Sequence, residues 1–312
     1  MKLISIIIPA YNEEECIPEL AIRLKKVFEE EKNYSFEVVI VENGSIDDSW
    51  NLIQNECLLD KRFKSIQLSR NFRMDGGITA GLEYISGDAC VIMTADLQDP
   101  PEMIPVFLRK WESGWENIYG VLERRVGTGL IRTLNSKIFY SIAWKLSGGK
   151  IPKNASDFRL VDKKVYEAVR IMTERNRFVR GLFAWVGFKS VGVPMERPQR
   201  FGGVSKAHSS EVIDLALKGL LANSYKPLRL ISIIGLTLSG ISFLAIFPLA
   251  IIWFISGVPF AGFGTIVSLI LFIIGTLSLM LGIISEYVGL VYEETKSRPN
   301  FIVRNSIGIE RT

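Results

Sequence analysis

The sequence is poor in the residues that build imidazole and thiol sites. Histidine occurs once in 312 residues, as His208, which argues against a histidine-based catalytic triad, and no Cys/His spacing of a zinc site accompanies it. The three cysteines, Cys16, Cys57 and Cys90, lie far apart. We therefore expect free, buried thiols in a reducing compartment rather than a disulfide framework.

Two common phosphate-binding motifs are also missing. Neither G-x-G-x-x-G nor G-x-x-x-x-G-K-[ST] follows any run that could form a strand. Their absence counts against a Rossmann dehydrogenase and against a P-loop NTPase. The net charge of +4 is too small to indicate a nucleic-acid partner by itself, and we expect none.

Charged residues are absent from one long stretch. No Asp, Glu, Lys or Arg occurs from Leu230 to Ser285. This stretch can hold two membrane helices of about 20 residues each, and we predict them at about 230–255 and 263–287, as a hairpin over 226–288. The alternative is a pair of buried core helices, which the combined length of the two segments disfavours.

Basic residues flank the uncharged stretch. Lys226 and Arg229 precede it and Lys296 follows it. The positive-inside rule puts both of these sides in the cytoplasm. We therefore expect an integral membrane protein with two spans, in which a soluble domain over 1–225, a tail over 289–312 and both termini are cytoplasmic.

The first part of the chain alternates between strand and helix patterns. Apolar, β-branched runs occupy 3–9, 36–41 and 66–68, and a fourth run begins at Val91. Apolar residues at helical spacing lie between the runs. Such alternation predicts βαβ units and an α/β fold with a Rossmann-like, mainly parallel sheet.

Polar side chains follow three of these strands. Tyr11 and Glu13 come after the first strand, Glu42 ends the second, and Asp96 and Gln98 follow the fourth. Ligands of open α/β sheets bind at the carboxyl ends of the strands, so this pattern indicates a nucleotide crevice. The oxygen ligands of Asp96 and Gln98 suit Mg²⁺ or Mn²⁺ holding a substrate phosphate. The alternative is a loop that begins with solvated acids.

Basic segments follow the sheet pattern. A helix predicted at about 130–146 has an apolar stripe among basic residues, and it either lies on a membrane surface or packs on the sheet. A second amphipathic helix is predicted at about 208–222. The loop 197–206 carries Arg200 and Lys206, which can neutralise a diphosphate, although a solvated surface loop is the alternative.

The tail contains two short apolar patches, at 301–303 and 307–309. They could pair as a small β-hairpin. An unpaired apolar strand there invites pairing with another subunit. We therefore expect a homo-oligomer, with a tetramer as one candidate form.

Seven motifs in order resemble one family. They are IIIPAYNEEE, VIVENGS, SRNF, TADLQDPPE, SDFRL, RFVRGLFAWVGF and RPQRFGGVSK. Together they resemble the inverting glycosyltransferases of family 2 with a GT-A fold. They are most similar to the polyisoprenyl-phosphate glycosyltransferases, which include dolichyl-phosphate mannose synthase and the bacterial GtrB-type glucosyltransferases, and the paired membrane helices resemble the GtrB branch.

The resemblance implies roles for the residues that match the motifs. Those expected to bind the sugar donor are Pro9, Tyr11, Glu13, Glu42, Asp96, Arg200 and Lys206. Asp96 and Gln98 match the metal-binding pair. The sequence departs from the family pattern at Glu42, Asn43 and Thr94, where the family usually has Asp.

The acceptor side of the site is also implied by the resemblance. Arg125 and Arg132 fall near the basic positions that receive the acceptor phosphate. Asp157 stands where a catalytic base or an orienting carboxylate is expected, beside Asp96 as the other catalytic residue.

The resemblance implies an inverting, metal-dependent transfer of a hexose to a polyisoprenyl phosphate at the bacterial inner membrane. Glucose from UDP-glucose is the expected donor, with GDP-mannose as the alternative. A processive polysaccharide synthase would need a Q-x-x-R-W motif and more spans. A catalytically degenerate protein that binds nucleotide sugars at the membrane is the non-enzymatic alternative.

Overall fold

The computed structural model describes residues 1–122, 155–175, 177–202 and 262–309, with six isolated positions between 233 and 255. The predicted helices at 130–146 and 208–222 lie outside the described residues, as does most of the predicted span at 230–255. The chain divides into two compact units. The first unit comprises Met1–Gly219 with Arg298–Thr312, and the second comprises Leu220–Ser297.

The described part of the first unit is an α/β fold. Its strands are β1 (Lys2–Ala10), β2 (Tyr34–Glu42), β3 (Phe63–Leu68), β4 (Ala89–Ile92), β5 (Asn117–Leu122), β6 (Ala155–Asp162), β7 (Ser190–Met195) and β8 (Val303–Ile307). Its helices are α1 (Ile17–Glu30), α2 (Ser49–Leu59), α3 (Arg73–Tyr84), α4 (Ile104–Glu112), α5 (Lys163–Arg170) and α6 (Val179–Trp185). The four predicted strands and the mainly parallel start of the sheet are confirmed.

The strands form one sheet in the order β7-β5-β6-β4-β1-β2-β3-β8. β1 lies between β2 and β4 and is parallel to both. Its continuous apolar run follows from its burial on two faces. Ile4, Ile6 and Ile8 belong to one core cluster with residues of α1 and α4, whereas Ile7 belongs to the other cluster, with residues of α3 and α5.

Three more strands, β5, β6 and β7, extend the sheet on the β4 side. β6 runs antiparallel to both β4 and β5, and β7 pairs in parallel with β5. The β6 pattern is obscured by Arg159 in its middle, because a charged residue interrupts the apolar run. Arg159 is nevertheless buried and donates hydrogen bonds to the backbone carbonyls of Ser156 and Asp157.

The tail forms one strand of this sheet instead of the predicted hairpin. β8 pairs antiparallel with β3, with Gln67 opposite Asn305. Asn305 Nδ2 also donates a hydrogen bond of 2.6 Å to Gln67 Oε1. Because the strand is paired within its own chain, the argument for an oligomer from an unpaired tail strand does not hold.

The second unit contains one long apolar helix in its described part. This helix, α7, spans Phe263–Thr295, so it continues beyond the predicted end at 287. Within it, Ile273–Thr295 is long and apolar enough to cross a membrane by length and composition. It is the one such segment among the described residues, and the second span of the hairpin remains a prediction.

Close packing of α3 on β1 depends on Gly81. A Cβ built on Gly81 would lie 2.3 Å from Cγ2 of Ile7, which is fully buried. We predict that G81A lowers the free energy of unfolding by about 1–3 kcal/mol, because an added methyl group overpacks this contact. Denaturant unfolding of the full chain in detergent measures the change.

The control for this variant lies on the same helix. Glu83 is exposed, so E83A should change the free energy of unfolding by less than about 0.5 kcal/mol. Equal stability of G81A and E83A would contradict the close approach of α3 to β1.

Candidate active site

Three parallel strands end at the same edge of the sheet. Ala10 of β1 pairs with Glu42 of β2, and Ile7 of β1 pairs with Ile92 of β4. The loops that follow these strands therefore emerge side by side. They carry the polar residues predicted to bind the nucleotide sugar.

The loops after β1 and β2 are joined by reciprocal hydrogen bonds. Asn12 N donates to Ser45 Oγ at 2.9 Å, and Ile46 N donates to Asn12 Oδ1 at 2.8 Å. Glu13 N donates to Ser49 Oγ at 2.8 Å. Asn12 has a φ of 52°, a left-handed conformation that Asn tolerates better than most residues. These bonds fix the loop that contains Tyr11 and Glu13.

Glu42 is fully buried at the end of β2. Its Oε1 accepts a hydrogen bond from Ser45 N. Its Oε2 is buried and has no hydrogen-bond partner among the described residues. A buried acceptor without a partner is costly, so a ligand N–H that reached Oε2 would stabilise this position.

Asn43, a departure from the family pattern, fastens the loop after β3. Its Oδ1 accepts a hydrogen bond of 2.8 Å from Phe72 N, and its Nδ2 donates one of 2.8 Å to the carbonyl of Arg73. An ionised Asp could accept the first bond but could not donate the second. The amide at this position therefore has a structural role in holding the SRNF segment.

Asp96 lies in a tight turn after β4. Its Oδ1 accepts hydrogen bonds from Thr94 Oγ1 at 2.7 Å and from Gln98 N at 3.2 Å. Leu97 between them has a φ of 60° and is buried, which indicates a constrained turn. No hydrogen bond within the described part of the chain reaches Oδ2 of Asp96, so this oxygen is open to a ligand.

Asp99 lies behind this turn and was not predicted as a site residue. It is almost fully buried. Its Oδ2 accepts a hydrogen bond from Thr94 N at 3.0 Å and lies 2.8 Å from Thr94 Oγ1, whose single proton can be donated either to Asp99 or to Asp96. Burial raises the pKa of Asp99 to about 6, against the opposing effects of Arg197 and Thr94. Thr94, another departure from the family pattern, thus lies between two carboxylates instead of supplying one.

The described part of the basic loop lies against the first and fourth strand ends. Arg200 forms an ion pair with Glu13. Phe201 N donates a long hydrogen bond of 3.5 Å to the carbonyl of Asp96, and Gln98 Nε2 donates another of 3.5 Å to the carbonyl of Pro198. The loop therefore approaches both Asp96 and the segment that contains Glu13.

Asp157 reaches the same edge from β6. Because Ile92 pairs with Arg159 and the strands are antiparallel, Asp157 lies beyond the end of β4. Arg180 binds both of its oxygens, with Nε 2.9 Å from Oδ1 and Nη2 2.6 Å from Oδ2. Burial alone would raise the pKa of Asp157, but Arg180, with Arg159, lowers it below its usual value.

The structure brings most of the predicted residues to one edge of the sheet. These are Pro9, Tyr11, Glu13, Glu42, Asp96, Gln98, Asp157 and Arg200. Arg125, Arg132 and Lys206 lie outside the described residues. Sequence reasoning missed Asp99 and Arg180; the two prolines that follow Asp99 favoured a turn, and no local signal pairs Arg180 with Asp157.

No cluster of three or more His, Cys, Asp or Glu side chains that could hold a metal occurs within the described ranges. Asp96 and Gln98 are the predicted metal-binding pair at the end of β4. They do not enclose an ion by themselves.

Comparison with known proteins identifies the family of the chain. A sequence model of Glycosyl transferase family 2 matches residues 5–170. The uncharacterized glycosyltransferase YkcC of Bacillus subtilis (strain 168) is 38% identical over 98% of this chain and 94% of its own. The bactoprenol glucosyl transferase of Shigella phage SfX is 34% identical over 97% of this chain and 99% of its own.

A prophage bactoprenol glucosyl transferase homolog of Escherichia coli (strain K12) is also similar, with 34% identity over 96% of this chain and 98% of its own. Among solved structures, mannosyl-3-phosphoglycerate synthase from Rubrobacter xylanophilus has a TM-score of 0.49 at 14% identity, over 73% of this chain and 74% of its own. That structural likeness is too distant to add to the assignment.

The family match and the α/β domain together define a glycosyltransferase with a GT-A fold. The chain belongs to glycosyl transferase family 2, because the family model covers more than half of it and relatives match nearly its whole length. The resemblance to bactoprenol glucosyl transferases of the GtrB type is confirmed.

The two hydrogen bonds of Asn43 lead to a stability prediction. We expect N43D to lower the free energy of unfolding by about 1–3 kcal/mol, because a buried carboxylate would face the carbonyl of Arg73 without a proton to donate. Denaturant unfolding at neutral pH measures the loss.

The matched control is N55D, which makes the same change on the exposed side of α2. It should alter the free energy of unfolding by less than about 0.5 kcal/mol. If N43D proved as stable as N55D, the amide of Asn43 would not be what fastens the SRNF segment.

Proposed function

We propose that the protein transfers glucose from UDP-glucose to a polyisoprenyl phosphate of the membrane, with inversion at the anomeric carbon. The observation that supports this proposal is that three groups lie at one edge of the sheet. They are Glu42, which has a buried oxygen without a hydrogen-bond partner among the described residues, Asp96, which has an open oxygen, and the guanidinium of Arg200. The nucleotide base needs a hydrogen-bond acceptor, the metal that binds the diphosphate needs a carboxylate ligand, and the charge of the diphosphate needs a cation. The relatives named bactoprenol glucosyl transferase support glucose and the lipid acceptor.

The nucleotide sugar would lie across the ends of β1, β2 and β4. Pro9, Tyr11 and Glu13 would flank the nucleotide, and Glu42 Oε2 would accept a hydrogen bond from an N–H of the base. Arg200 and Lys206 would neutralise the diphosphate. Fixed positive charge at the leaving group stabilises the charge that develops there in the transition state.

The residues after β4 fit Mg²⁺ or Mn²⁺. Asp96 has an open carboxylate oxygen, and the amide of Gln98 offers a second oxygen, since its hydrogen bond to the carbonyl of Pro198 uses Nε2. Mg²⁺ is commonly held by one or two carboxylates together with substrate phosphates and water. Asp96 and Gln98 would hold the ion, which when bound supplies Lewis-acid stabilisation of the leaving diphosphate.

The acceptor needs no strong base. A phosphate monoester has a second pKa of about 6, so it is largely dianionic at neutral pH and can attack the anomeric carbon directly. Asp157 is paired with Arg180, and its pKa is lowered, so it is poorly suited to remove a proton. We assign it a role in orienting the reacting groups, with Arg125 and Arg132 as binding residues for the acceptor phosphate.

The membrane anchor complements this reaction. α7 supplies one apolar segment of sufficient length, and the uncharged sequence before it supports a second span. Two spans with the domain and both termini in the cytoplasm would keep the active site at the inner face of a bacterial inner membrane. The lipid phosphate of the acceptor lies at that surface.

A transfer assay tests the proposed reaction. Membranes that contain the full chain should convert radiolabelled UDP-glucose and polyprenyl phosphate into an organic-extractable product. Chelation with EDTA should abolish the product, and added Mg²⁺ or Mn²⁺ should restore it. Product from GDP-mannose alone would select the mannosyl alternative, and no product with any nucleotide sugar would favour a binding protein without catalytic activity.

Substitution of Asp96 tests the metal assignment. D96A should lower turnover by about 100-fold or more, because the site loses its carboxylate ligand. Calorimetry should show that its UDP-glucose binding no longer depends on Mn²⁺. The control is D60A, because the carboxylate of Asp60 pairs with Arg62 at the opposite end of the sheet. D60A should keep metal-dependent binding of UDP-glucose. If D96A kept it as well, the assignment of Asp96 as a metal ligand would be wrong.

A further inference from the structure

Asp75 connects two helices that border the site. It lies in the first turn of α3, and its Oδ1 accepts a hydrogen bond of 3.0 Å from Val179 N. Val179 is the first residue of α6. A carboxylate that accepts a bond from the first turn of a helix acts as an N-terminal cap. The cap here comes from another helix, so it fixes α6 relative to α3.

The first turn of α3 is itself held against the strand ends. A Cβ on Gly77 would lie 3.0 Å from Cβ of Pro9 and 3.5 Å from Nδ2 of Asn43. Asn43 also binds the backbone at both Phe72 and Arg73. Asp75 is therefore anchored to the side of the site formed by β1 and β2.

The other end of the connection is Asp157. Arg180, the second residue of α6, binds both oxygens of Asp157. The ring of Phe183, on the same helix, lies 4.9 Å from the guanidinium of Arg159, which donates to the carbonyl of Asp157. The pairing of β6 fixes the backbone of Asp157, and α6 supplies the guanidinium that holds its carboxylate.

We propose that Asp75 is a positioning residue for sugar transfer, which holds the N-terminus of α6 so that Arg180 keeps Asp157 at the active-site edge. Asp75 acts through Val179 and Arg180 and links the nucleotide side of the site to Asp157. This inference rests on the proposed function, in which Asp157 orients the reacting groups.

The capping hydrogen bond, rather than the charge, is the essential contribution of Asp75. Burial is the main reason that the pKa of the Asp75 carboxyl is raised, to about 6, and the charge of Asp157 acts in the same direction. The hydrogen bond from Val179 N and the charges of Arg180 and Arg177 act against it. A carboxyl whose pKa is raised in this way tolerates an uncharged form. Asparagine keeps an oxygen that can accept from Val179 N, whereas alanine removes it.

The test compares D75A, D75N and a matched control in the transfer assay. D75A should lower kcat by about tenfold or more, because small displacements of an orienting group are costly, while the KM for UDP-glucose stays within about twofold. D75N should recover most of the lost kcat. The control is D162A, at the far end of β6. It removes the cap of α5, where Asp162 Oδ1 accepts from Lys164 N at 3.1 Å, and also the hydrogen bond that Trp111 Nε1 donates to Asp162 Oδ2 at 2.8 Å. Its kcat should match the wild type, because neither bond involves the active-site edge.

Hydrogen exchange gives a second readout that does not depend on activity. Loss of a cap worth about 1 kcal/mol should speed local exchange by about fivefold, so D75A should speed exchange in 179–185 and 155–160. D75N should not do so, and D162A should instead affect 163–170. Unchanged exchange in 155–160 and 179–185 of D75A would overturn the inference, as would equal losses of kcat in D75A and D162A.

The outcomes separate this inference from the proposed function. No transfer by the wild type, or full activity of D157N, would contradict the proposed reaction or the role of Asp157, and hydrogen exchange would still report on the Asp75 cap. Inactive D157N together with fully active D75A would contradict the inference about Asp75 alone.

Discussion

The parallel pairing of β1 with both β2 and β4 is the constraint on which the rest of the structure depends. A strand paired in parallel on both sides and covered on both faces is apolar on both faces, and its two neighbours run in the same direction as it does. The carboxyl ends of all three strands therefore meet, and their following loops share one crevice. Loop-to-loop hydrogen bonds between Asn12 and Ser45 and between Asn43 and Phe72 then hold the crevice in shape.

Most of this edge could be predicted from the sequence, because it follows from local patterns. The runs before Tyr11, Glu42 and Asp96 are apolar and end abruptly, so strand ends and polar loops can be read without knowledge of the fold. The contribution of β6 could not be predicted in this way. Its interior contains Arg159, and the side chain is accommodated only because backbone carbonyls close in space accept its hydrogen bonds.

Pairs that are distant in sequence were the other source of error. Nothing near Asp157 indicates that Arg180 binds it, and nothing near Asp75 indicates that it caps α6. The tail shows the same limit, since pairing of β8 with β3 joins residues that the apolar helix separates in the sequence. The local pattern of two short apolar patches predicted a β-hairpin, whereas in the structure this segment pairs with the edge of the sheet at β3.

Three carboxylates of the site illustrate how environment assigns different chemistry to one group. Asp96 keeps an open oxygen at the surface of the turn. Asp99, three residues later, is buried behind Thr94, and its pKa is raised to about 6. Asp157 is neutralised by an arginine, and its pKa is lowered. Only the first is suited to bind an incoming cation, and the other two shape the surroundings in which it does so.

The position of β8 has a practical consequence for protein engineering. The strand is encoded after the apolar helix, yet it belongs to the sheet of the first unit. A catalytic domain truncated before that helix would leave the edge of β3 uncovered, and uncovered edges promote aggregation. A soluble version that does not aggregate therefore has to retain residues 298–309, joined to the rest of the first unit by a linker that replaces the second unit.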